Sequence, residues 1–377
     1  MKTKVTLVAA TLSTLLSSSV VLANNSNEPF GDTNNDLLDI QNRCIVELND
    51  TVSISSVSNK ASAIAQRHNA KLKHVYQHSI KGFTINMPCH AAKKAFGDDP
   101  EVATFTPDSI MTISKGKPGG GGGGQQVSYG TNRVGGPVDG TGYTAWVIDS
   151  GVDLDHPDLN VDTSRGFTSI NNGGMNDQNG HGTHVAGTIG ALDNNTGALG
   201  VAPNTTIVPV RVLDRRGSGS TSGVIAGVEH VAANAQPGDC VNMSLGGGAS
   251  SALDNAVKNA AQQSGAFFVL AAGNDGDHAG NYSPARANGN RIYTISAIDE
   301  NDNMASWSNY GNPPVDYAAP GVGIFSLWKN GGTNTISGTS MASPHACAVI
   351  MLSNGNPSTD GRAGNDPDGN ADSIIHL

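Results

Sequence analysis

Three side chains far apart in the chain, Asp149, His181 and Ser340, have neighbours that suit nucleophilic catalysis. Ser340 lies in Ser337-Gly338-Thr339-Ser340-Met341-Ala342-Ser343-Pro344, with an apolar run at 346–352 behind it. That pattern predicts a serine in the first turn of a buried helix. Pro344 would then sit early in the helix, where a missing N–H costs no hydrogen bond. A hydroxyl there meets the positive end of the helix dipole, which also stabilises an oxyanion. Alone, the stretch equally suits a Ser/Thr helix cap. Asp149 closes the apolar run 143–148, and α/β sheets gather functional groups at the carboxyl ends of strands. A turn aspartate is the other reading. His181 is flanked by glycines in Asn179-Gly180-His181-Gly182-Thr183-His184-Val185-Ala186-Gly187 and opens a helix of small residues. His181 and His184 could share a metal, but no acidic neighbour completes a zinc signature. A hydroxyl is a weak nucleophile until an imidazole takes its proton, and a carboxylate orients that imidazole.

These groups need a scaffold. Near-continuous apolar runs at 144–148, 207–212, 240–244, 267–271 and 293–298 read as strands buried on both faces, as in a parallel sheet. Residues 222–234 and 252–263 show helical spacing between them. The expected fold is α/β with helices on both sides of the sheet. Residues 43–114 change pattern to short units in the order βαββαβ, an open-faced sandwich. Strands are read at 44–48, 71–77, 82–87 and 102–105, with helices at 57–69 and 91–96. In this reading the first and third strands run parallel, which places Cys44 and Cys89 at opposite ends and argues against a bridge between them. Residues 115–124, with six consecutive glycines from Gly119 to Gly124, form a linker that cannot hold a regular element.

The chain of 377 residues has a hydrophobic content of 37%, 48 glycines and a formal net charge of −10. Such a balance argues against a nucleic-acid partner, which needs a basic face. Lys2 and Lys4 precede an apolar run at 5–16 and a small-residue site ending at Ala23, so residues 1–23 read as an export signal. The run is short and broken by serines, which argues against a membrane anchor. Residues 24–42 form an Asn- and Asp-rich spacer. Cys240 and Cys347 could be bridged or free, since pairing is not readable from spacing.

Asp149, His181 and Ser340 stand in the chain order of the subtilisin type of triad. Their motifs, Val147-Ile148-Asp149-Ser150-Gly151, His181 to Gly187 and Gly338 to Pro344, resemble those of the subtilase family. Residues 125–377 are similar to its catalytic domain and residues 43–114 to an inhibitory prodomain of the I9 type. The resemblance implies a three-layer α/β/α domain and a secreted, extracellular serine endopeptidase. It would be made as a self-processing precursor, act on proteins or peptides, and need no catalytic cofactor; a monomer is expected. It implies Asp149, His181 and Ser340 as the catalytic groups and Asn274 as the oxyanion-hole amide. Gly217, Ser218 and Gly219, together with Ser244, Leu245 and Gly246, would flank an extended substrate. Leu245, Ala271, Ala272 and Gly273 suggest an apolar first pocket, without an acidic residue marking its base. For a structural Ca²⁺, Gln125, Asp158 and Asn194 match the family's side-chain ligands, with carbonyls from Leu192, Thr196 and Ala198. Asp316 resembles a second, weaker calcium site.

The chain departs from the family in places. Ala346-Cys347-Ala348 replaces a Val-Ala-Gly run. The helix usually found before the final strand has no counterpart, although 369–376 resembles that strand. The run Asp366 to Asp372 mimics an EF-hand loop, yet Leu377 stands where a bidentate glutamate is required. An aligned processing cut falls among Gly119 to Gly124.

Overall fold

The computed structural model describes residues 39–113, 124–171 and 173–377. The export signal, most of the spacer and nearly all of the linker read from sequence lie outside the described residues.

The first unit has the predicted element order: β1 (Cys44–Leu48), α1 (Ile54–Arg67), β2 (Leu72–Tyr76), β3 (Gly82–Ile85), α2 (Cys89–Phe96) and β4 (Val102–Pro107). Its sheet runs β2-β3-β1-β4, and every neighbouring pair is antiparallel. This overturns the parallel reading of β1 and β3. A helical crossover leaves β1 and β2 pointing the same way, and the tight turn into β3 then reverses the chain. Cys44 consequently pairs with Ile85 in register. Cys89, four residues further on, comes back beside it, and the two form a disulfide with Cα atoms 4.8 Å apart.

A short strand, β5 (Ile110–Thr112), leads out of this unit. The second unit is built on β6 (Thr144–Asp149), α3 (His181–Gly190), β7 (Thr206–Arg211), β8 (Ser218–Ser220), α4 (Thr221–Asn234), β9 (Cys240–Met243), α5 (Ser251–Ser264), β10 (Phe267–Ala271), β11 (Ile292–Ile298), β12 (Val315–Pro320), α6 (Thr339–Leu352), β13 (Ser358–Arg362) and β14 (Ser373–His376). Its main sheet places β13-β14-β12-β11-β10-β9-β6-β7 side by side, parallel except for the terminal β13–β14 hairpin. Alternation along β6 shows why its sequence is apolar throughout. Trp146 and Ile148 pack with Val224, Val228, Leu253 and Val257 of α4 and α5. Ala145 and Val147 face Val185, Ile189, Met341 and Ala346 of α3 and α6. Both faces are covered, giving three layers.

The two units share a core. Ile45, Tyr76, Ile80 and Met111 of the first join the cluster formed by α4 and α5. Cys240 and Cys347 are bridged, tying β9 to α6 across a 107-residue separation. Such a cross-link contributes about 2–4 kcal/mol. Among the described residues, no helix lies between α6 and the end of the chain. The β13–β14 hairpin stands there instead, burying Ile374 and Ile375 against the sheet.

Candidate active site

Asp149 is the last residue of β6, buried at the carboxyl edge of the sheet. Both of its carboxylate oxygens face His181 Nδ1, at 2.8 and 2.9 Å. The Ser150 N–H also donates to this carboxylate, at 2.6 Å. His181 opens α3, and its flanking glycines have separate causes. Gly180 has φ +113° and abuts the Trp328 ring, while a side chain at Gly182 would strike the Gly151 carbonyl. Both close approaches bring the first turn of α3 down onto the end of β6.

Asp177 completes that junction. Its carboxylate accepts the Thr183 N–H and hydroxyl, the N–H groups of Asn179 and Gly180, and the Ser150 hydroxyl. Burial pushes its pKa up, against the pull of these donors. Sequence reasoning missed Asp177; its place four residues before His181, where it can cap the helix, was the available signal.

Met243 of β9 lies level with Ile148 of β6, so the next residues, Ser244 and Asp149, leave neighbouring strands together. Ser340 meets Ser244 directly. Its hydroxyl donates to the Ser244 carbonyl at 3.1 Å, and the Ser244 hydroxyl donates to the Ser340 carbonyl at 2.9 Å. The second bond corrects an expectation. Pro344 is not in the first turn but is the sixth residue of α6. A proline there cannot donate to the carbonyl four residues earlier, which is that of Ser340. Ser244 satisfies it instead. Behind it, the buried Asn242 carboxamide donates to Ser244 Oγ at 2.8 Å and accepts from Ser343 Oγ at 2.7 Å.

His181 Nε2 is buried and has no hydrogen-bond partner among the described residues. Asn274 follows β10, and its carbonyl oxygen accepts from the N–H and hydroxyl of Thr339 at 2.9 and 2.8 Å. Its Nδ2, beside Gly338, has no hydrogen-bond partner among the described residues. The first-turn N–H groups of a helix also lack intrahelical acceptors. Two donors, an open imidazole nitrogen and a hydroxyl thus gather at one edge of the sheet.

The residues expected to flank substrate are brought together around a strand of this same chain. Ile110, Met111 and Thr112 pair antiparallel with Ser220, Gly219 and Ser218, and the Ile113 N–H donates to the Gly217 carbonyl. On the other side Thr112 pairs antiparallel with Gly246. Leu245, Gly246, Ala271, Ala272, Gly273 and Asn274 line a cavity of about 360 Å³ beside this strand. Asp275 and Tyr282 also line it. Asp275 went unread in the sequence, although it directly follows Asn274.

The residues expected to hold calcium converge too. Gln125 Nε2 lies 2.7 Å from the Leu192 carbonyl and 3.3 Å from that of Ala198. Asp158 accepts from Asn194 Nδ2 at 2.8 Å and from the Ala198 N–H at 3.0 Å. The Thr196 N–H and hydroxyl donate to Asn194 Oδ1. Gln125, Asp158 and Asn194 each offer a side-chain oxygen in this cluster, those of Asp158 and Asn194 being taken up by the bonds just given. Together with backbone carbonyls, that donor set fits a hard cation. Asp316 stands elsewhere, on β12, where it accepts the Thr294 N–H at 2.8 Å.

A mostly parallel α/β sheet with a carboxylate, an imidazole and a hydroxyl at its carboxyl edge defines the class. The chain belongs to the subtilase family, whose model matches residues 140–362. Alkaline serine exoprotease A of Vibrio alginolyticus is 44% identical over 301 residues, 76% of this chain and 54% of that protein. The chain thus spans about half the length of that relative. The extracellular serine proteinase of Thermus sp. (strain Rt41A) is 40% identical over 298 residues, 75% of this chain and 68% of that protein. The crystal structure of a cold adapted subtilisin-like serine proteinase superposes with a TM-score of 0.58 at 40% identity, covering 66% of this chain and 97% of that one. No helix among the described residues is long and apolar enough to cross a membrane.

Proposed function

We propose that the protein is a secreted serine endopeptidase made as a self-processing precursor. The observation that carries this reading is the His181 imidazole, bonded through Nδ1 to Asp149 while Nε2 stays buried and open. Nδ1–H donating to the carboxylate leaves Nε2 as the basic nitrogen. When a peptide enters, the Ser340 hydroxyl turns from the Ser244 carbonyl to His181 Nε2 and gives up its proton as Oγ attacks the peptide carbonyl. The negative oxygen that forms is met by Asn274 Nδ2 and the Ser340 N–H. The tetrahedral adduct collapses, its C–N bond breaks, and His181 passes the proton to the leaving amine. Water, deprotonated by the same nitrogen, then hydrolyses the acyl ester. Asp149 orients the ring and steadies the imidazolium.

The first unit acts as inhibitor as well as folding partner. Its strand β5 occupies the groove where an extended substrate would form main-chain bonds on both sides. A Ca²⁺ held by Gln125, Asp158, Asn194 and the nearby carbonyls would fasten the 192–198 loop; burial raises the Asp158 pKa, and a cation offsets that cost. No nucleic acid or membrane partner is part of this reading, and the working form is a monomer outside the cell.

The test is fluorophosphonate labelling with parallel assays on casein and a short-chain ester. Labelling of the parent but not of Ser340→Ala, with casein hydrolysis, is expected. An enzyme that cleaves only the ester is an esterase, and a protein that neither labels nor cleaves is a binding protein of the same fold.

A further inference from the structure

The contacts of β5 run past the groove residues expected from the sequence. Beyond Gly217, Ser218 and Gly219, Ser220 pairs with Ile110 in the same antiparallel register. One residue on, the Thr221 N–H donates to the Ser109 carbonyl at 2.8 Å. Ser222 comes next and meets a side chain. Its N–H donates to Asp108 Oδ1 at 2.9 Å and its hydroxyl to Asp108 Oδ2 at 2.6 Å. Thr221 and Ser222 open the 14-residue helix α4. The helix supplies its own cap, Ser220, whose hydroxyl takes the Gly223 N–H at 3.1 Å. The Thr221 and Ser222 N–H groups are left for acceptors outside the helix, and residues 108–109 supply both. A carboxylate from the other unit is thus already seated at the positive end of the α4 dipole. Within its own unit Asp108 faces the Ser109 N–H at 3.1 Å and the Arg43 guanidinium at 3.6 Å. Burial raises its pKa, and of the groups that draw it back down the Ser222 hydroxyl and N–H come ahead of Arg43. The receiving turn, more than the first unit's own cation, holds the charge.

We infer that the first turn of α4 is a further substrate subsite, taking an aspartate at the seventh residue on the acyl side of the cleaved bond. This subsite rests on the peptidase reading above. Ser244, two residues before Gly246, holds the Ser340 hydroxyl. A substrate in the register of β5 therefore places its reacting carbonyl two positions past the one that Thr112 fills. Asp108 then marks the seventh residue back from the cut. Departure of the first unit leaves the Thr221 and Ser222 donors without these acceptors, and a long substrate replaces them. Its main chain at the sixth position meets Thr221, and a carboxylate at the seventh meets Ser222 by two charge-assisted bonds. A peptide too short to reach α4 forgoes both.

The experiment measures kcat/KM of the mature enzyme and its Ser222→Ala variant on internally quenched peptides that span the groove. They differ only at the seventh acyl-side residue, which is Asp, Asn or Lys. In the parent, Asp is expected to exceed Asn at least about threefold, since a helix N-terminus and a hydroxyl donor favour the charged side chain, with Lys lowest. Moving the Asp to the eighth position should abolish the gain. Loss of the Ser222 hydroxyl should cut the Asp-over-Asn ratio at least about twofold. The parent ratio should also shrink as sodium chloride is raised from about 0.02 to 0.5 M. Equal rates for Asp and Asn, or a gain that persists at the eighth position, would overturn the subsite while leaving the peptidase reading intact. A gain unchanged in Ser222→Ala or indifferent to salt would do the same. If the variant folds poorly, the position and salt series on the parent decide alone. Failure to cleave any of the peptides would overturn both readings.

Discussion

Thr112 and Gly246 lie level in an antiparallel pair, the N–H of each donating to the carbonyl of the other at 2.9 and 3.0 Å. Two residues further along this register comes Ser244, whose carbonyl accepts the Ser340 hydroxyl. On the precursor reading, a segment that kept this register past Ile113 would bring the bond Ser114–Lys115 to Ser340, so that bond, not one among the glycines, is expected to be cut. Intact mass of the released first unit checks this, with a C-terminus at Ser114 as the expected outcome. A C-terminus within 119–124 would mean that β5 is not the strand presented for cleavage.

Glu229 should govern how tightly the first unit is held. Its carboxylate accepts the N–H groups of Gln77, His78 and Ser79 and the Ser79 hydroxyl, at 2.6–2.9 Å. Hydrogen bonds to a charged acceptor are stronger than neutral ones, at about 1.5–3 kcal/mol apiece. Glu229→Ala is expected to weaken inhibition by the isolated first unit in trans by about 2–3 kcal/mol, or roughly 30- to 150-fold in Ki. An unchanged Ki would show that apolar packing through Tyr76, Ile80 and Met111 carries the association.

The three motifs around Asp149, His181 and Ser340 were legible as local structure because each is a contiguous run whose backbone explains it: Gly180 turns the chain and Gly182 lets α3 approach β6. The main sheet was legible because β6, β7 and β9–β11 are covered on both faces and so apolar throughout. What escaped depended on partners distant in sequence. The Cys44–Cys89 bridge follows from strand direction, which the β2–β3 turn sets and no periodicity reveals. The depth of Pro344 within α6 became visible only with the start of that helix, where Asn274 and Thr339 meet. Asp177 is a single acid in a polar loop, and its role comes from the helix start beside it.

Two buried histidines make stability depend on pH. Burial lowers the pKa of His345 from 6.5 to about 4 and that of His184 to about 3. A depressed folded pKa means that the unfolded chain takes up the proton first. The stabilisation is therefore full above pH 6.5 and is lost as pH falls toward 4. At pH 5 each neutral imidazole costs about 2 kcal/mol of stability relative to pH 7. Asp108 and Asp177, raised by burial, act in the opposite sense, so the effect is best read by difference. His345→Gln, placed in an inactive Ser340→Ala background, should close on its parent by about 2 kcal/mol between pH 7 and pH 5. Denaturant melts at the two pH values measure it, and a constant gap would mean that His345 takes up its proton as readily in the fold as in the unfolded chain.

Chelation should act through one loop. With Ca²⁺ on Gln125, Asp158 and Asn194, EGTA is expected to lower the Tm of the inactive variant by several degrees, as loss of a ligand bound only by the native state requires. Asp158→Asn should lower Tm by itself and remove the response to EGTA. If the variant still responds, the cation sits elsewhere, and limited proteolysis with and without EGTA would locate the loop it fastens.

Ser244 offers the sharpest separation of structure from chemistry. Its hydroxyl is the substitute donor for the N–H that Pro344 lacks, and it also receives the Asn242 amide. Ser244→Ala leaves the Ser340 carbonyl and the Asn242 amide without these partners in a buried setting, at a cost of about 1–3 kcal/mol. The nucleophile's own hydroxyl keeps its acceptor, because that is the Ser244 main-chain carbonyl and survives the substitution. The expected result is a lower denaturation midpoint with a smaller loss of kcat than that of Asn274→Ala, which removes a donor aimed at the reacting oxygen and should cost about 10²–10³ in turnover. A Ser244→Ala enzyme of normal stability and strongly reduced kcat would reverse the assignment, making this hydroxyl part of the chemistry and not a brace for a helix interrupted by proline.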